Sequence, residues 1–224
     1  MVLPSQIAFY MIKPQHAIIK TMDDLQRLRQ QAKDQHIPVI MDDGLTLLCD
    51  TVIATNAKTI LEIGTAVGTS AIAMASLSND ITIDTYEIDP LRIDQAIKNI
   101  HSMGLDDQIT VYGMDILDAL ITKKYDLIFI DGAKNHYFDY VVHTIDHIQP
   151  YGCYIIDNLN FHGIVDQPSL THNRSTKQLV AKIKHFRQWI LTNDWFNTVL
   201  YDKIGDGIAI VWIKDKSKVL QTKE

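Results

Sequence analysis

The chain has 224 residues, 46% of them hydrophobic and 21% charged, with 21 Lys+Arg against 27 Asp+Glu and a formal charge of −6. That balance is too apolar for a disordered chain, and the length allows a sizeable core without disulfides or a structural metal. No apolar run approaches the roughly 20 residues of a membrane span, no charged-then-apolar leader opens the chain, and Cys49 and Cys153 lie far apart with no CxxC spacing. A soluble, cytoplasmic protein folding as one domain over 1–224, with free buried thiols, is expected.

Residues 1–57 read as a helical extension. Leu25, Leu28 and Ala32 share one helix face, and after the break at Pro38 the run Leu45, Leu48, Val52 and Ile53 shares another. From there short apolar runs bounded by turn residues alternate with amphipathic stretches. Strands are predicted over 59–63, 82–87, 108–112, 126–130 and 153–157, and helices over 70–77, 90–103, 116–122 and 138–148. Pro90 suits a first helical position, and Gly104 stops that helix. Leu179, Ile183, Phe186 and Ile190 mark one face of a longer helix, and the runs 197–201 and 207–213 around Gly205-Asp206 read as an antiparallel hairpin. Buried strands separated by helices imply a parallel sheet covered on both faces. The expected fold is therefore α/β: a doubly wound, seven-stranded, mostly parallel sheet with an antiparallel C-terminal strand and a helical N-terminal extension.

Two constellations carry chemistry. The first predicted strand runs into Leu61-Glu62-Ile63-Gly64-Thr65-Ala66-Val67-Gly68-Thr69-Ser70. In a doubly wound sheet ligands bind beyond the carboxyl ends of the strands, and Gly64 and Gly68 would let backbone approach one closely. Ala66 stands where a GxGxxG fingerprint needs its second glycine, which argues against a pyrophosphate. The next strand ends in Glu87, 23 positions past Gly64, a spacing that suits a ribose diol, and Gly113-Met114-Asp115 is placed to meet an adenine ring. The second constellation is Asp131, at the end of the fourth strand, with Asp157 and Asn158 at the end of the fifth. On adjacent parallel strands these could offer three oxygens to one hard cation such as Mg²⁺.

The glycine turn, Glu87 and Asp115 together resemble the class I S-adenosylmethionine-dependent methyltransferases, which are Rossmann-like. With Asp131, Asp157 and Asn158 the chain resembles the metal-dependent O-methyltransferases that include the catechol and caffeoyl-CoA enzymes, from about residue 41 to 213. The resemblance implies S-adenosylmethionine and a divalent cation, Mg²⁺ or another, as cofactors. It implies Met41, Glu62, Gly64, Thr65, Ser70, Glu87, Asp115 and Asp131 around the cofactor, and Asp131, Asp157 and Asn158 on the metal. Lys134 would be the base, acting beside Asp131. The stretch Asp157-Asn158-Leu159-Asn160-Phe161-His162-Gly163, with Asn173-Arg174 and Gly205-Asp206-Gly207, is most similar to the bacterial tRNA 5-hydroxyuridine methyltransferases. That branch implies a tRNA anticodon loop as partner and 5-methoxyuridine at the wobble position as product. A small catechol-type acceptor, or an NAD-type protein on the same fold, is the competing reading.

Charge distribution bears on that choice. Residues 171–224 hold ten Lys+Arg against five acids, whereas the first 170 hold 11 against 22. Arg174 and Lys177, with Lys182, Lys184 and Arg187, are expected to flank the cleft mouth and attract a phosphate backbone. Ile7, Phe9, Tyr10, Met11 and Ile12 form an apolar patch of the kind that finds a partner, and relatives of the family are commonly homodimers. His143 and His147, at i and i+4, read as surface histidines without a third zinc ligand. Trp189 and Trp195 read as core or interface anchors.

Overall fold

The computed structural model describes residues 15–221, so the apolar patch at 7–12 and the assembly expected from it lie outside the described residues. Helices α1 (Gln15–Asp34) and α2 (Asp42–Thr55) precede an alternation of β1 (Thr59–Ile63), α3 (Thr69–Ala75), β2 (Thr82–Glu87), α4 (Pro90–Ser102), β3 (Ile109–Gly113), β4 (Tyr125–Ile130), α5 (Tyr137–Thr144) and β5 (Ile148–Ile156). Helix α6 (Arg174–Thr192), the hairpin β6 (Phe196–Tyr201) and β7 (Ile208–Ile213), and α7 (Lys216–Gln221) complete it. The seven strands are ordered β3-β2-β1-β4-β5-β7-β6, with β7 antiparallel to both its neighbours and the other pairings parallel. Among the described residues no helix is long and apolar enough to cross a membrane.

Both faces of the sheet are buried, and alternate strand residues divide between them. Ile128, Ile130, Tyr154 and Ile156 pack with Tyr137, Val141, Phe186 and Trp189 on the α5–α6 side. Leu127, Phe129, Cys153 and Ile155 pack with Leu25, Leu48, Val52, Ile72 and Met74 on the α1–α3 side. Ile53 alone of its predicted face turns outward. Trp189 is core and Trp195 packs at its margin, as expected. Cys153 is buried, Cys49 is half-buried, and burial pushes both free thiols up to about 12.

The ends of α4 follow the sequence signals. Asp89 accepts from the Leu91 and Arg92 amides, Pro90 occupies the first turn, and Gly104 follows with φ 65°. The helix predicted over 116–122 does not form beyond the 3₁₀ turn Ile116–Asp118. Ile116, Ala119 and Ile121 are buried while Leu120 is 90% exposed, a spacing that no helix face provides. His143 Nε2 and His147 Nδ1 lie 3.2 and 2.9 Å from the carbonyls of Ala119 and Lys123 along this irregular stretch. These histidines therefore serve a loop, where the sequence suggested bare surface. Likewise α5 stops at Thr144, and β5 begins at Ile148, five residues earlier than predicted, through a register shift opposite Tyr125.

Register places the chemistry. Ile63 pairs with Tyr86 and with Ile130, and Ile130 pairs with Ile156. Gly64, Glu87, Asp131 and Asp157 therefore emerge along one edge of the sheet, around the point between β1 and β4 where the strand order reverses.

Candidate active site

The turn after β1 is built on backbone that only particular residues tolerate. Gly64 has φ 100°, and a Cβ there would lie 2.5 Å from the Asp131 carbonyl oxygen. Its amide and that of Thr65 donate to the Tyr86 carbonyl at 3.0 and 3.2 Å. Gly68 (φ 84°) opens α3, and Asn99 Nδ2 on α4 donates to Val67 O at 2.8 Å, so the loop is pinned on three sides. Gly64→Ala combines positive-φ strain with a backbone clash. It should cost about 2–5 kcal/mol, read as a lowered midpoint in denaturant unfolding.

Two buried acids organise the turn. Glu62 is wholly buried and accepts from Ser70 Oγ and Thr85 Oγ1, each at 2.6 Å, while Thr85 Oγ1 lies 2.6 Å from Thr65 Oγ1. Burial pushes its carboxyl up to about 7 against the pull of the two hydroxyls. Glu87 accepts from Ala66 N with Oε2 and from Ile88 N and Asp89 N with Oε1. Three backbone donors thus fix a carboxylate in the rim of the turn.

On the other side of the switch point stand Asp131 and Asp157. Asp157 is 2% exposed; burial raises its carboxyl to about 6, opposed by the Asn158 amide, which donates to Oδ1 at 2.6 Å, and by Lys134. Asp131 is held well above the usual carboxylate range by desolvation and then by the charge of Asp157, with Lys134 opposing. The Asp157 carbonyl accepts from the buried Tyr137 hydroxyl at 2.8 Å, and Asn158 sits at φ 61°. Among the described residues no three His, Cys, Asp or Glu side chains gather as a metal site. The donors here are two mutually repelling carboxylates and an amide, a set that suits a hard divalent cation completing its shell with water and ligand oxygens.

All of this opens into one cleft of about 630 Å³, a size fitting a small-molecule cofactor with part of a second ligand. Met41, Gly64, Glu87, Asp115, Asp131, Lys134, Asp157 and Asn158 line it.

Residues 15–214 match the model of a family described as O-methyltransferase. The chain belongs to that family. It is 31% identical over 169 residues to a catechol O-methyltransferase of Niastella koreensis, covering 70% of this chain and 74% of that one. Among solved structures, a Staphylococcus aureus chain provisionally assigned as a caffeoyl-CoA O-methyltransferase superposes with a TM-score of 0.81 at 28% identity, covering 90% of this chain and 98% of that one. The Bacillus cereus O-methyltransferase in complex with S-adenosylhomocysteine gives 0.72 at 25% identity, covering 86% and 91%. The protein is an S-adenosylmethionine-dependent O-methyltransferase.

Within this O-methyltransferase the expected site residues separate into two layers. Those named above form the cleft wall, whereas Glu62 and Ser70, and Thr65 within the glycine turn itself, are buried and not part of that wall. Arg174 and Lys177 stand exposed on the first turn of α6 and are not part of the cleft wall. Arg187 is no free cation at the mouth. Nη1 bonds Asn160 Oδ1 and Asp166 Oδ2, and Nη2 bonds Asp202 Oδ1, at 3.0–3.1 Å.

The wall also holds residues that sequence reasoning gave no role: Tyr86, Arg92, His136, Tyr140, His162 and Asp206. Asp206 is 7% exposed and accepts from His162 N at 2.7 Å through Oδ1. Its Oδ2 has no hydrogen-bond partner among the described residues and lies 3.6 Å from His162 Nδ1. The Gly205-Asp206-Gly207 motif was the available signal. Gly207 (φ 80°) lets this loop close on Asn160, whose side-chain atoms would lie 2.5–2.7 Å from any Cβ there.

Proposed function

We propose that the protein methylates a hydroxyl whose neighbouring oxygen helps it chelate a divalent cation, the acceptor being 5-hydroxyuridine at the wobble position of tRNA. The observation that carries this is the Asp131–Asp157 pair, with Asn158, on the wall of the same cleft as the glycine turn and Glu87. Asp131, Asp157 and Asn158 would hold the cation, Mg²⁺ or a similar ion. When bound, it would favour the ionised acceptor hydroxyl.

The chain's own groups do the rest. Glu87 offers its fixed carboxylate to the cofactor's ribose, and Asp115 lies where the adenine would end. Gly64 admits the remaining part of the cofactor against bare backbone, with Met41 also on the cleft wall to cover it. Lys134 Nζ, acting as the free amine, accepts the hydroxyl proton, and the oxygen then takes the methyl group as the carbon–sulfur bond breaks, leaving S-adenosylhomocysteine. Positioning of the two ligands supplies most of the acceleration.

The tRNA acceptor is supported by the motif resemblance and by the exposed cations Arg174, Lys177, Lys182 and Lys184 on α6. A phosphate backbone responds to such local charge even on an acidic protein, because screening confines the field to about 10 Å. The likeness to a catechol O-methyltransferase favours a second reading, a small catechol acceptor, which presents the same pair of oxygens. Mass spectrometry of tRNA nucleosides from cells lacking the protein decides between them. Loss of 5-methoxyuridine is expected. Unchanged 5-methoxyuridine, with catechol methylation by the purified protein, transfers the assignment to the small molecule. Arg174→Ala combined with Lys177→Ala should raise KM for tRNA and flatten the log–log salt dependence by about one to two units. An unaltered salt slope would make these cations a solvated helix surface.

A further inference from the structure

The segment between α1 and α2 forms one wall of the cleft, through Pro38, Val39, Ile40 and Met41. It is neither helix nor strand, and Met41 at its end is 54% exposed. Ile40 is buried in the core on the α1–α3 side, whereas Pro38 and Met41 on either side of it are exposed, so the strap's main chain needs a further anchor. One side chain on α1 fastens it. Arg29 Nη2 donates to the Ile40 carbonyl at 2.7 Å and to Asp42 Oδ1 at 2.6 Å, and the Arg29 side chain is only 6% exposed. Nη1 is buried with no hydrogen-bond partner among the described residues. Lys33 adds an exposed contact to Asp42 at 3.2 Å. The next residue, Asp43, accepts from Gly205 N at 3.0 Å, so the same end of the strap is tied to the loop that carries Asp206.

Burying a guanidinium is costly, and a buried ion pair is usually no more stabilising than an apolar side chain of the same volume. With one nitrogen left unpaired, Arg29 is a poor source of stability. What its planar guanidinium does supply is direction: the two N–H bonds of Nη2 are fixed in its plane and meet two acceptors, one on the strap and one at the start of α2.

We propose that Arg29 is a positioning residue for the cofactor, setting the strap's main chain so that Ile40 and Met41 close over S-adenosylmethionine. This rests on reading the cleft as the cofactor site. Arg29 touches neither ligand; it acts through Ile40 and Asp42.

The test is S-adenosylhomocysteine binding by calorimetry together with steady-state kinetics on the full-length chain. Arg29→Met keeps the volume and removes both bonds. The dissociation constant, and KM for S-adenosylmethionine, should rise about tenfold, equivalent to about 1.4 kcal/mol. At saturating S-adenosylmethionine, kcat should stay within about twofold of wild type. A merely structural role would do the opposite, lowering the active fraction, and so kcat, with KM unmoved. Arg29→Lys keeps the charge but not the fixed N–H directions and should fall between the two. If Arg29→Met fails to fold, the lysine variant makes the same comparison. Lys33→Ala should bind as wild type does, since Arg29 still holds Asp42. Glu87→Ala, also on the cleft wall, separates the two layers of the argument. Unweakened binding in Glu87→Ala would remove the cofactor site itself. Weakened binding there, with wild-type binding in either Arg29 variant, would remove Arg29 alone.

Discussion

Asp157→Asn should lower methyl transfer by about 10²–10³-fold at saturating cofactor and acceptor, a loss of about 3–4 kcal/mol in transition-state stabilisation. The same change should make the cation-free protein more stable. Asp157 is raised to about 6 from an ordinary 3.8, because folding buries it and places it beside other acids. Its stability contribution is therefore fully present below the unfolded value and is lost as pH rises through about 6. Above that, wild type holds a costly ionised carboxylate, of order 3 kcal/mol, which the neutral amide does not carry. The amide oxygen can still accept from Asn158 N, so the local fold survives. Mg²⁺ should restore wild-type stability above pH 6 and do so progressively less as protons compete for the same oxygens. It should leave Asp157→Asn largely unmoved. Thermal unfolding with and without Mg²⁺ across pH 5–8, beside activity in chelator, reads all of this. Full methyl transfer in excess chelator would overturn the cation's role, and a metal response retained by Asp157→Asn would displace Asp157 from the site.

Opposite signs on stability and activity explain why parts of this site were legible in sequence and others were not. Asp131 and Asp157 stand out because an apolar strand ending in a bare carboxylate is expensive unless the group has a task. Gly64 and Gly68 stand out because a turn that admits a ligand against backbone needs positive φ. Both signals are local, and the structure places those residues on one sheet edge as strand order requires. The two layers of the glycine turn were not separable, since Glu62 and Glu87 carry the same functional group. Only the pleat decides that Glu62 points down into Ser70 and Thr85 while Glu87 meets the rim. Arg29, and the contact that Asp206 makes, escaped the sequence for a different reason. Their partners lie 11 residues away in Ile40 and 44 residues away in His162, and nothing in either local pattern announces the pairing. The helix predicted over 116–122 failed because apolar content was read without its period. Of the cations read on α6, Arg174 and Lys177 are exposed away from the cleft wall, and Arg187 is consumed by Asp166 and Asp202, which sequence spacing does not show.

Glu62 gives the second large effect, and it separates a carboxylate kept for its charge from one kept for its shape. Its carboxyl, raised to about 7 by complete burial, starts from an ordinary 4.5. The stability it lends is whole below the unfolded value and is lost as pH rises through about 7, a change of order 3 kcal/mol. Glu62→Gln should abolish that loss, so the stability of the variant changes less than that of wild type between pH 5 and pH 8. The network can accommodate the amide. Its nitrogen would donate to Thr85 Oγ1, which then turns its own proton to Thr65 Oγ1, 2.6 Å away, while Ser70 still donates to the remaining oxygen. Cofactor affinity should therefore stay within about threefold of wild type, since hydroxyl rotors reorient at little cost. Glu62→Ala takes from the buried Ser70 hydroxyl its carboxylate acceptor, leaves Thr85 only Thr65 Oγ1, and opens a cavity under the turn. It should destabilise the protein by about 3–5 kcal/mol and loosen the start of α3, weakening S-adenosylhomocysteine binding by tenfold or more. Denaturant unfolding of the three proteins at both pH values, with calorimetry at the lower one, distinguishes the cases. A pH dependence in Glu62→Gln equal to that of wild type would mean that Glu62 is already ionised at neutrality, and its buried charge would then need a cationic partner.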